Sequence, residues 1–265
     1  MLKYEFAAFF KSKRSIFFSL LIIGIIIADI HLVYSISFLR EYQLHPVYDK
    51  ALVLKWSCTP ASAAFLSATS HGKPLQKIIT WMLPLLLLLL HCDKHVKEEK
   101  YHYYQLLRAR CSDKKIFVNK MLFAAIVGFV VPCIGLLINF GLCQWIFREG
   151  LYQHESAKGM IWFLSAAHPN IAYMCYIFIF CSCSALYSAS IIALSYIFKH
   201  AFMLYIVSFG LWYMQIMSSK SLVLIIQPFI EFGPSYLIPV AIRFVCIAVG
   251  CIIAGSLWVR FHEEL

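Results

Sequence analysis

Three ionisable residues lie inside otherwise apolar segments of the chain and are the first candidates for chemistry. Asp29 and His31 share one such segment, and Arg243 falls in another. A charged side chain within a membrane is costly unless it has a partner or faces a polar cavity. The sequence therefore predicts that Asp29 and Arg243 pair or line a cavity, unless one or both lie near the outer interface and reach water. Asn139 and Gln215 are weaker candidates for the same cavity, and hydrogen bonding between helices is their alternative role.

The densest group of potential metal ligands is His91, Cys92, Asp93 and His95, and Cys181 with Cys183 forms a second group. Residues two apart on a helix face different sides, so neither group composes a metal site by itself. The chain also lacks the His-Glu-x-x-His, Gly-x-Ser-x-Gly and phosphate-loop patterns. We therefore expect no catalytic residue, no metal and no cofactor in this chain.

The composition indicates which elements position these residues. Of 265 residues, 62% are hydrophobic and 14% are charged, and the mean hydropathy is +0.77. Soluble domains carry about 25% charged residues, so a soluble protein is excluded and a polytopic membrane protein remains. We predict an all-α fold that forms one transmembrane domain over residues 1–265. The ten cysteines follow the apolar segments, so buried thiols are expected rather than a disulfide framework.

Six segments approach the roughly 20 apolar residues that a transmembrane helix needs. The first is too long for the apolar region of a signal peptide and lacks a cleavage site, so we interpret it as a retained span. The second is short and contains an unbroken leucine run. The six predicted spans are residues 16–38, 75–91, 121–147, 171–198, 201–218 and 237–259.

The net charge of +10 is explained by residues that flank the apolar segments. This placement favours membrane topology and anionic headgroups over nucleic acid as the reason for the charge. Fourteen Lys and Arg residues fall on the side of the two termini, and eight fall on the other side. The excess predicts that both termini are cytoplasmic and that the chain crosses the cell membrane several times.

The N-terminal arm, residues 1–14, has the pattern of an amphipathic helix. Leu2, Phe6, Phe9 and Phe10 recur at helical spacing, and basic residues lie between and after them. Such a helix lies in the headgroup plane of a membrane. The alternative is a plain cytoplasmic extension of the first span.

Residues 92–120 form the only long connection on the cytoplasmic side. Its middle, residues 97–107, has no Gly or Pro and is predicted to be helical. Tyr103, Leu106 and Leu107 cluster on one face, so this helix has a surface to pack against.

Residues 221–236 are apolar but interrupted at Pro228 and Pro234. The stretch is too short to cross a membrane and too apolar for an exposed loop. It is predicted to form a re-entrant or interfacial hairpin on the outer side.

This layout resembles the permease subunit of type-2 ABC transporters, the six-span class of bacterial exporters. In that family the loop after the second span consists of an acidic residue, a helix, a turn with a small residue and Arg, and a Lys that enters the third span. This chain follows the same order from Glu98, through the turn at residues 110–112, to Lys120. The glycine that often follows the acidic residue is absent.

The resemblance implies a partnership of two permease subunits, identical or related, with two cytoplasmic ATPases that bind ATP and Mg²⁺. The chain itself is then not an enzyme. Residues 98–110 would be the coupling helix that enters a groove of the ATPase, and residues 1–14 would lie along the membrane. The residues assigned to the coupling element are Glu98, Glu99, Tyr103, Leu106, Leu107, Arg108 and Arg110.

The resemblance also implies export of an amphipathic cargo, such as a peptide, a drug or a lipid. Two other classes remain open from the sequence. An intramembrane protease or lipid-modifying enzyme would use Asp29, His31 and Arg243, and a non-catalytic assembly or sensor subunit would use none of them. A secondary transporter is weaker, because only one broken apolar stretch is present.

Overall fold

The computed structural model describes residues 2–44, 48–67, 74–101, 107, 111–151, 167–226 and 234–263. Within these ranges the chain is helical and contains no strand, which confirms the all-α prediction. The helices are α1 (Leu2–Lys11), α2 (Lys13–Tyr34), α3 (Arg40–Leu44), α4 (Lys50–Trp56), α5 (Pro60–Ala63), α6 (Pro74–Leu87), α7 (Lys94–Lys100), α8 (Asp113–Ile146), α9 (Pro169–Ile197), α10 (Ala201–Met217), α11 (Val223–Ile226) and α12 (Pro234–Glu263). Two π-helical segments, Ser35–Leu39 and Leu88–Cys92, join α2 to α3 and α6 to α7.

Five of the described helices are long and apolar enough to cross a membrane. They cover Lys13–Tyr34, Pro74–Glu99, Asp113–Ile146, Pro169–Ile197 and Pro234–Phe261. Five of the six predicted spans lie within these helices or overlap them. The remaining predicted span corresponds to α10, which is apolar but has only 17 residues.

The second membrane helix is longer than its apolar run indicates. A π turn follows α6, and the Asp93 amide there donates to the carbonyl oxygen of Leu88 at 3.4 Å. Through this turn the helix extends over Pro74–Glu99, 26 residues in all. The helix therefore continues about two turns past residue 91, where the predicted span ends, because the charged residues after the leucine run remain helical.

Helix α9 lies at the centre of the described structure, and α12 lies at its edge. In the most apolar window of each helix, 67% of the residues of α9 are buried but only 22% of those of α12. Glycines allow the close approach of neighbouring helices. A Cβ atom at Gly128 of α8 would lie 2.2 Å from the hydroxyl oxygen of Ser188 in α9, and one at Gly255 of α12 would lie 2.6 Å from the carbonyl oxygen of Ala193.

The N-terminal arm packs on the protein. Ser12 separates α1 from α2, and its side chain caps α2 by accepting a hydrogen bond from the amide of Ser15 at 3.3 Å. The rings of Phe6 and Phe9 lie 4.8 Å and 6.0 Å from the ring of Phe123 in α8. One face of α1 therefore covers the start of the third membrane helix.

Candidate functional site

Charged side chains from four helices or their ends, with a tyrosine from a fifth, meet at the end of the molecule that carries the N-terminal arm. We call this group the basic-end ion network. Because it joins elements far apart in sequence, it is the strongest candidate for a functional site in the described structure. Its members are Glu5, Arg14, Asp93, Lys94, Lys97, Glu98, Lys120 and Tyr205.

Glu5 of α1 is fully buried although it sits on a helix near the chain terminus. Its carboxylate accepts a hydrogen bond from the ammonium group of Lys94 at 2.8 Å, and the ammonium group of Lys120 lies 3.9 Å away. A buried carboxylate is tolerated when cations and hydrogen bonds compensate for the lost water. The two lysines therefore fasten α1 to α7 and α8.

Glu98 points into the network. It forms an ion pair with Lys120, and it lies 3.4 Å from the ammonium group of Lys94. Its side chain is 10% exposed, and that of Lys120 is 3% exposed. In the structure Glu98 therefore holds α7 against α8, and its predicted contact with an ATPase stays a prediction.

Asp93 joins two further helices, α2 and α10, to α7. Its carboxylate accepts hydrogen bonds from the guanidinium group of Arg14 at 2.9 Å and from the hydroxyl group of Tyr205 at 3.0 Å. The ammonium group of Lys97 lies 2.9 Å from the same oxygen. Asp93 follows the π segment directly, so the extra residue in that turn sets the direction of its side chain. The arrangement ties α2 and α10 to the end of the second membrane helix.

The other residues that the sequence assigned to the coupling element differ in how exposed they are. Glu99 is exposed. Tyr101 was not among the predicted coupling residues, but it follows α7 directly and has 76% of its surface accessible. Leu107 is half-buried and packs on the core of the chain itself. The other predicted coupling residues lie outside the described residues: Tyr103, Leu106, Arg108 and Arg110.

The histidines near the network pack against aromatic rings. The His91 ring lies 4.4 Å from that of Phe123, and His95 stacks on Tyr196 at 3.7 Å. Within the part of the chain that the structure describes, no group of three or more His, Cys, Asp or Glu residues is placed to hold a metal ion.

A second polar cluster surrounds a buried turn at the opposite end of α2. Residues 64–67 form this turn and are buried. Asn139 of α8 accepts a hydrogen bond from the amide of Phe65 at 2.9 Å and donates one to the carbonyl oxygen of Ile26 at 2.8 Å. The hydroxyl oxygen of Tyr173 accepts a hydrogen bond from the amide of Leu66 at 3.2 Å. A loop between the first two membrane helices thus enters the protein core.

Sequence reasoning missed this buried turn. It placed Asn139 among the cavity-lining candidates but had no partner for it. The usable signal is the run of small residues at 57–64, because small side chains let a backbone approach neighbouring helices closely. Asp29 lies one helical turn beyond Ile26 and is buried, so the structure brings Asp29 and Asn139 to the same region.

Arg243 lies beside the C-terminal end of α10. Its guanidinium group donates to the carbonyl oxygens of Lys220 at 2.6 Å and Gln215 at 3.3 Å. It thereby satisfies carbonyl groups at and beyond the C-terminal end of α10, where a cation is favourable. His31 is exposed whereas Asp29 is buried, so the three ionisable residues lie in different surroundings.

The predicted hairpin at residues 221–236 is described only in part. Leu222 is fully buried, and its amide donates to the carbonyl oxygen of Gln215 at 3.1 Å. The hydroxyl group of Tyr236 donates to the carbonyl oxygen of Ser219 at 2.8 Å. Both proposed break points, at residues 227–228 and 233–234, involve residues outside the described ranges.

The long apolar helices are typical of a polytopic α-helical membrane protein, and buried polar contacts and an ion network at one end connect them. The chain belongs to the family of the uncharacterized protein YybM of Bacillus subtilis (strain 168). The two are 32% identical over 204 residues, which cover 74% of this chain and 81% of the relative. No family model matches the chain. No solved structure matches it either.

Proposed function

We propose that this chain is the membrane-spanning permease subunit of an ATP-driven ABC exporter that moves an amphipathic cargo, a peptide, a drug or a lipid, across the cell membrane. The observation that carries the proposal is the path of the second membrane helix. It runs through the leucine segment into α7, and the ion network fastens α7 to α1, α2, α8 and α10. A push applied to the end of α7 would therefore reach several membrane helices at once.

Mechanical coupling requires this kind of attachment. Packed helices move as rigid bodies when their contacts resist independent motion. The contacts of Glu98 and Glu5 with Lys120 and Lys94 provide a connection across α7, α8 and α1. A flexible join at this point would absorb the movement of an ATPase before it reached the spans.

The exposed face of α7 is the surface for the ATPase in this proposal. Lys97 and Glu99 are exposed charges, and Tyr101 is an exposed aromatic residue at the end of the helix. Aromatic side chains are frequent energetic anchors at protein interfaces, and charges around them set the orientation of the partner.

The proposed topology has six spans. Helix α10 has 17 residues, which corresponds to about 25 Å at 1.5 Å per residue, somewhat less than the roughly 30 Å hydrocarbon core. It crosses as the fifth span if the bilayer thins locally or if flanking side chains extend to the interface. Both termini are then cytoplasmic, in agreement with the distribution of Lys and Arg, and residues 221–236 lie on the outer side.

The proposed complex contains a second permease subunit, identical or related, and two ATPases that carry ATP and Mg²⁺. This chain supplies no catalytic residue. Its bilayer-facing surface is large, because α2 and α12 have only 28% and 22% of their most apolar windows buried. A second permease subunit would cover part of that surface.

The test is gentle detergent purification of the tagged chain from its native membrane. We expect a stoichiometric ATPase with a phosphate-binding glycine loop to co-purify. The double variant Glu99→Lys/Tyr101→Ala should lose this ATPase while it inserts and folds normally. The matched control Tyr48→Ala changes another exposed tyrosine, 45% accessible, at the opposite end of the first membrane helix. Purification of the unaltered chain without any ATPase would refute the proposal.

A further inference from the structure

A groove of about 600 Å³ separates the beginning of α8 from the end of α12. This volume is in the range of pockets that hold small organic ligands, about 300–1,000 Å³. The lining residues that carry the argument are Lys114, Val118, Met121, Ile252, Leu257 and Arg260.

The groove has a basic end and an apolar floor. Lys114 is the second residue of α8, and Arg260 lies close to the end of α12, so both charges fall at the end of the molecule that holds the ion network. Val118 and Met121 follow Lys114 on the same face of α8, because they lie four and seven residues further on. From Lys114 to Met121 the helix rises by about 10 Å.

Apolar side chains in the groove remain exposed. Val118 is 50% accessible and Leu257 is 46% accessible. In water this surface would be unfavourable, but beside two membrane helices it adjoins the acyl chains of the bilayer. The basic end is at the depth where lipid headgroups begin, because it coincides with the starts of α2 and α8 and the end of α12.

We infer that this groove binds an anionic phospholipid of the inner leaflet. Lys114 and Arg260 contact the headgroup phosphate, and one acyl chain lies along Val118, Met121 and Ile252. Basic pockets between membrane helices on the cytoplasmic side recognise anionic headgroups in this way. The inference uses the membrane orientation proposed above, but it does not require the exporter function.

Native mass spectrometry of the full chain tests the inference. The protein is released from nanodiscs that contain equal parts of phosphatidylglycerol and phosphatidylcholine. We expect retained phosphatidylglycerol to exceed phosphatidylcholine by about tenfold, since two basic side chains contact the phosphate. The variant Lys114→Gln/Arg260→Gln should lose this preference. The control Lys13→Gln/Lys115→Gln removes two exposed charges that do not line the groove, and it should keep the preference.

A second variant distinguishes binding of the lipid in the groove from attraction of the lipid by surface charge in general. Val118→Trp fills the apolar floor without changing any charge, so it should reduce the retained phosphatidylglycerol several-fold. A large excess of inorganic phosphate should not displace the lipid, because the acyl chain supplies part of the binding.

Three results would overturn the inference. The first is an unchanged lipid preference in Lys114→Gln/Arg260→Gln, and the second is displacement of the lipid by inorganic phosphate alone. The third is a lipid-free dimer that Val118→Trp dissociates, since a second copy of the chain would then occupy the groove. Each of these results is independent of whether an ATPase co-purifies, so failure of the lipid site and failure of the proposed function are distinguishable.

Discussion

Lys120 is the most buried cation of the basic-end ion network. It is 3% exposed, and it lies between the carboxylates of Glu5 and Glu98, with Lys94 as the only other cation that contacts both in the described part of the chain. Two carboxylates held this close would repel each other without it. Lys120 and Lys94 together therefore link α1, α7 and α8.

We predict that Lys120→Met destabilises the protein by about 3 kcal/mol, because breaking a buried ion pair leaves uncompensated charge in the interior. Thermal unfolding in detergent measures the effect. The double variant Glu98→Gln/Lys120→Met should recover part of the loss, which a double-mutant cycle quantifies. Glu99→Gln is the matched control, since Glu99 is exposed, and it should change stability by less than about 0.5 kcal/mol. Equal effects of Lys120→Met and Glu99→Gln would show that the network does not stabilise the fold.

Asn139 has the corresponding role at the buried turn. Its amide group bonds both the turn and the first membrane helix. Asn139→Leu keeps the size of the side chain but leaves the amide of Phe65 without its acceptor, so we expect a loss of about 2 kcal/mol. The neighbouring Ile138 is 42% exposed, and Ile138→Leu serves as the control. Equal melting temperatures for the two variants would contradict the structural role of Asn139.

Helix α1 is bound to the protein by one aromatic face. Phe9 is 7% exposed and Phe10 is 68% exposed, so two adjacent phenylalanines lie in opposite environments. A helix held only by lipid would not distinguish them in this manner. The ion pairs of Glu5 fix the same helix from the polar side.

The pair Phe9→Ala and Phe10→Ala tests this attachment. We expect Phe9→Ala to cost about 3 kcal/mol, because it removes a buried aromatic side chain, and Phe10→Ala to cost less than about 1 kcal/mol. Limited proteolysis of the arm gives a local readout and should be faster only in Phe9→Ala. Similar proteolysis rates in both variants would mean that α1 is not docked as described.

The membrane helices could be predicted from sequence because their signal is local. A long apolar run is sufficient to locate α2, α8, α9 and α12, whatever the rest of the chain does. The buried turn at residues 64–67 could not be found in that way, since its residues are few and small. Its burial depends on Asn139 and Tyr173, which are distant in sequence.

Charged residues were harder to place than apolar ones. The sequence predicted that Asp29 and Arg243 pair or line a cavity, because both are costly within a membrane, but it gave no sign that Arg243 would contact backbone carbonyl groups. The inward direction of Glu98 depends on the π segment before α7 and on Lys120 from another helix. Pairing of this kind is a tertiary property, so residue types alone predict that a charge needs a partner but not which partner it has.

The molecule as a whole has the ion network at one end and apolar helices around a central α9. The starts of α2 and α8 and the end of α12 lie at the end with the network. The end of α10 lies at the opposite end. With six spans, Leu151 lies on the outer side and both termini lie inside. Leu151 is 75% exposed, which makes it a suitable fusion point.

Reporter fusions test this topology. Green fluorescent protein fused at the C-terminus should fluoresce, and alkaline phosphatase fused after Leu151 should be active, because the two reporters require opposite sides of the membrane. A five-span topology, in which α10 does not cross, would place the C-terminus outside and abolish the fluorescence.

The central claim is that the end of α7 contacts an ATPase, and cross-linking in intact cells tests it most directly. A photoreactive phenylalanine analogue replaces Tyr101, which is 76% exposed, and in a second strain it replaces Leu151 at the opposite end. The account predicts an ATPase adduct from position 101 and none from position 151. Absence of an ATPase adduct at position 101, or the same adduct at both positions, would contradict the account.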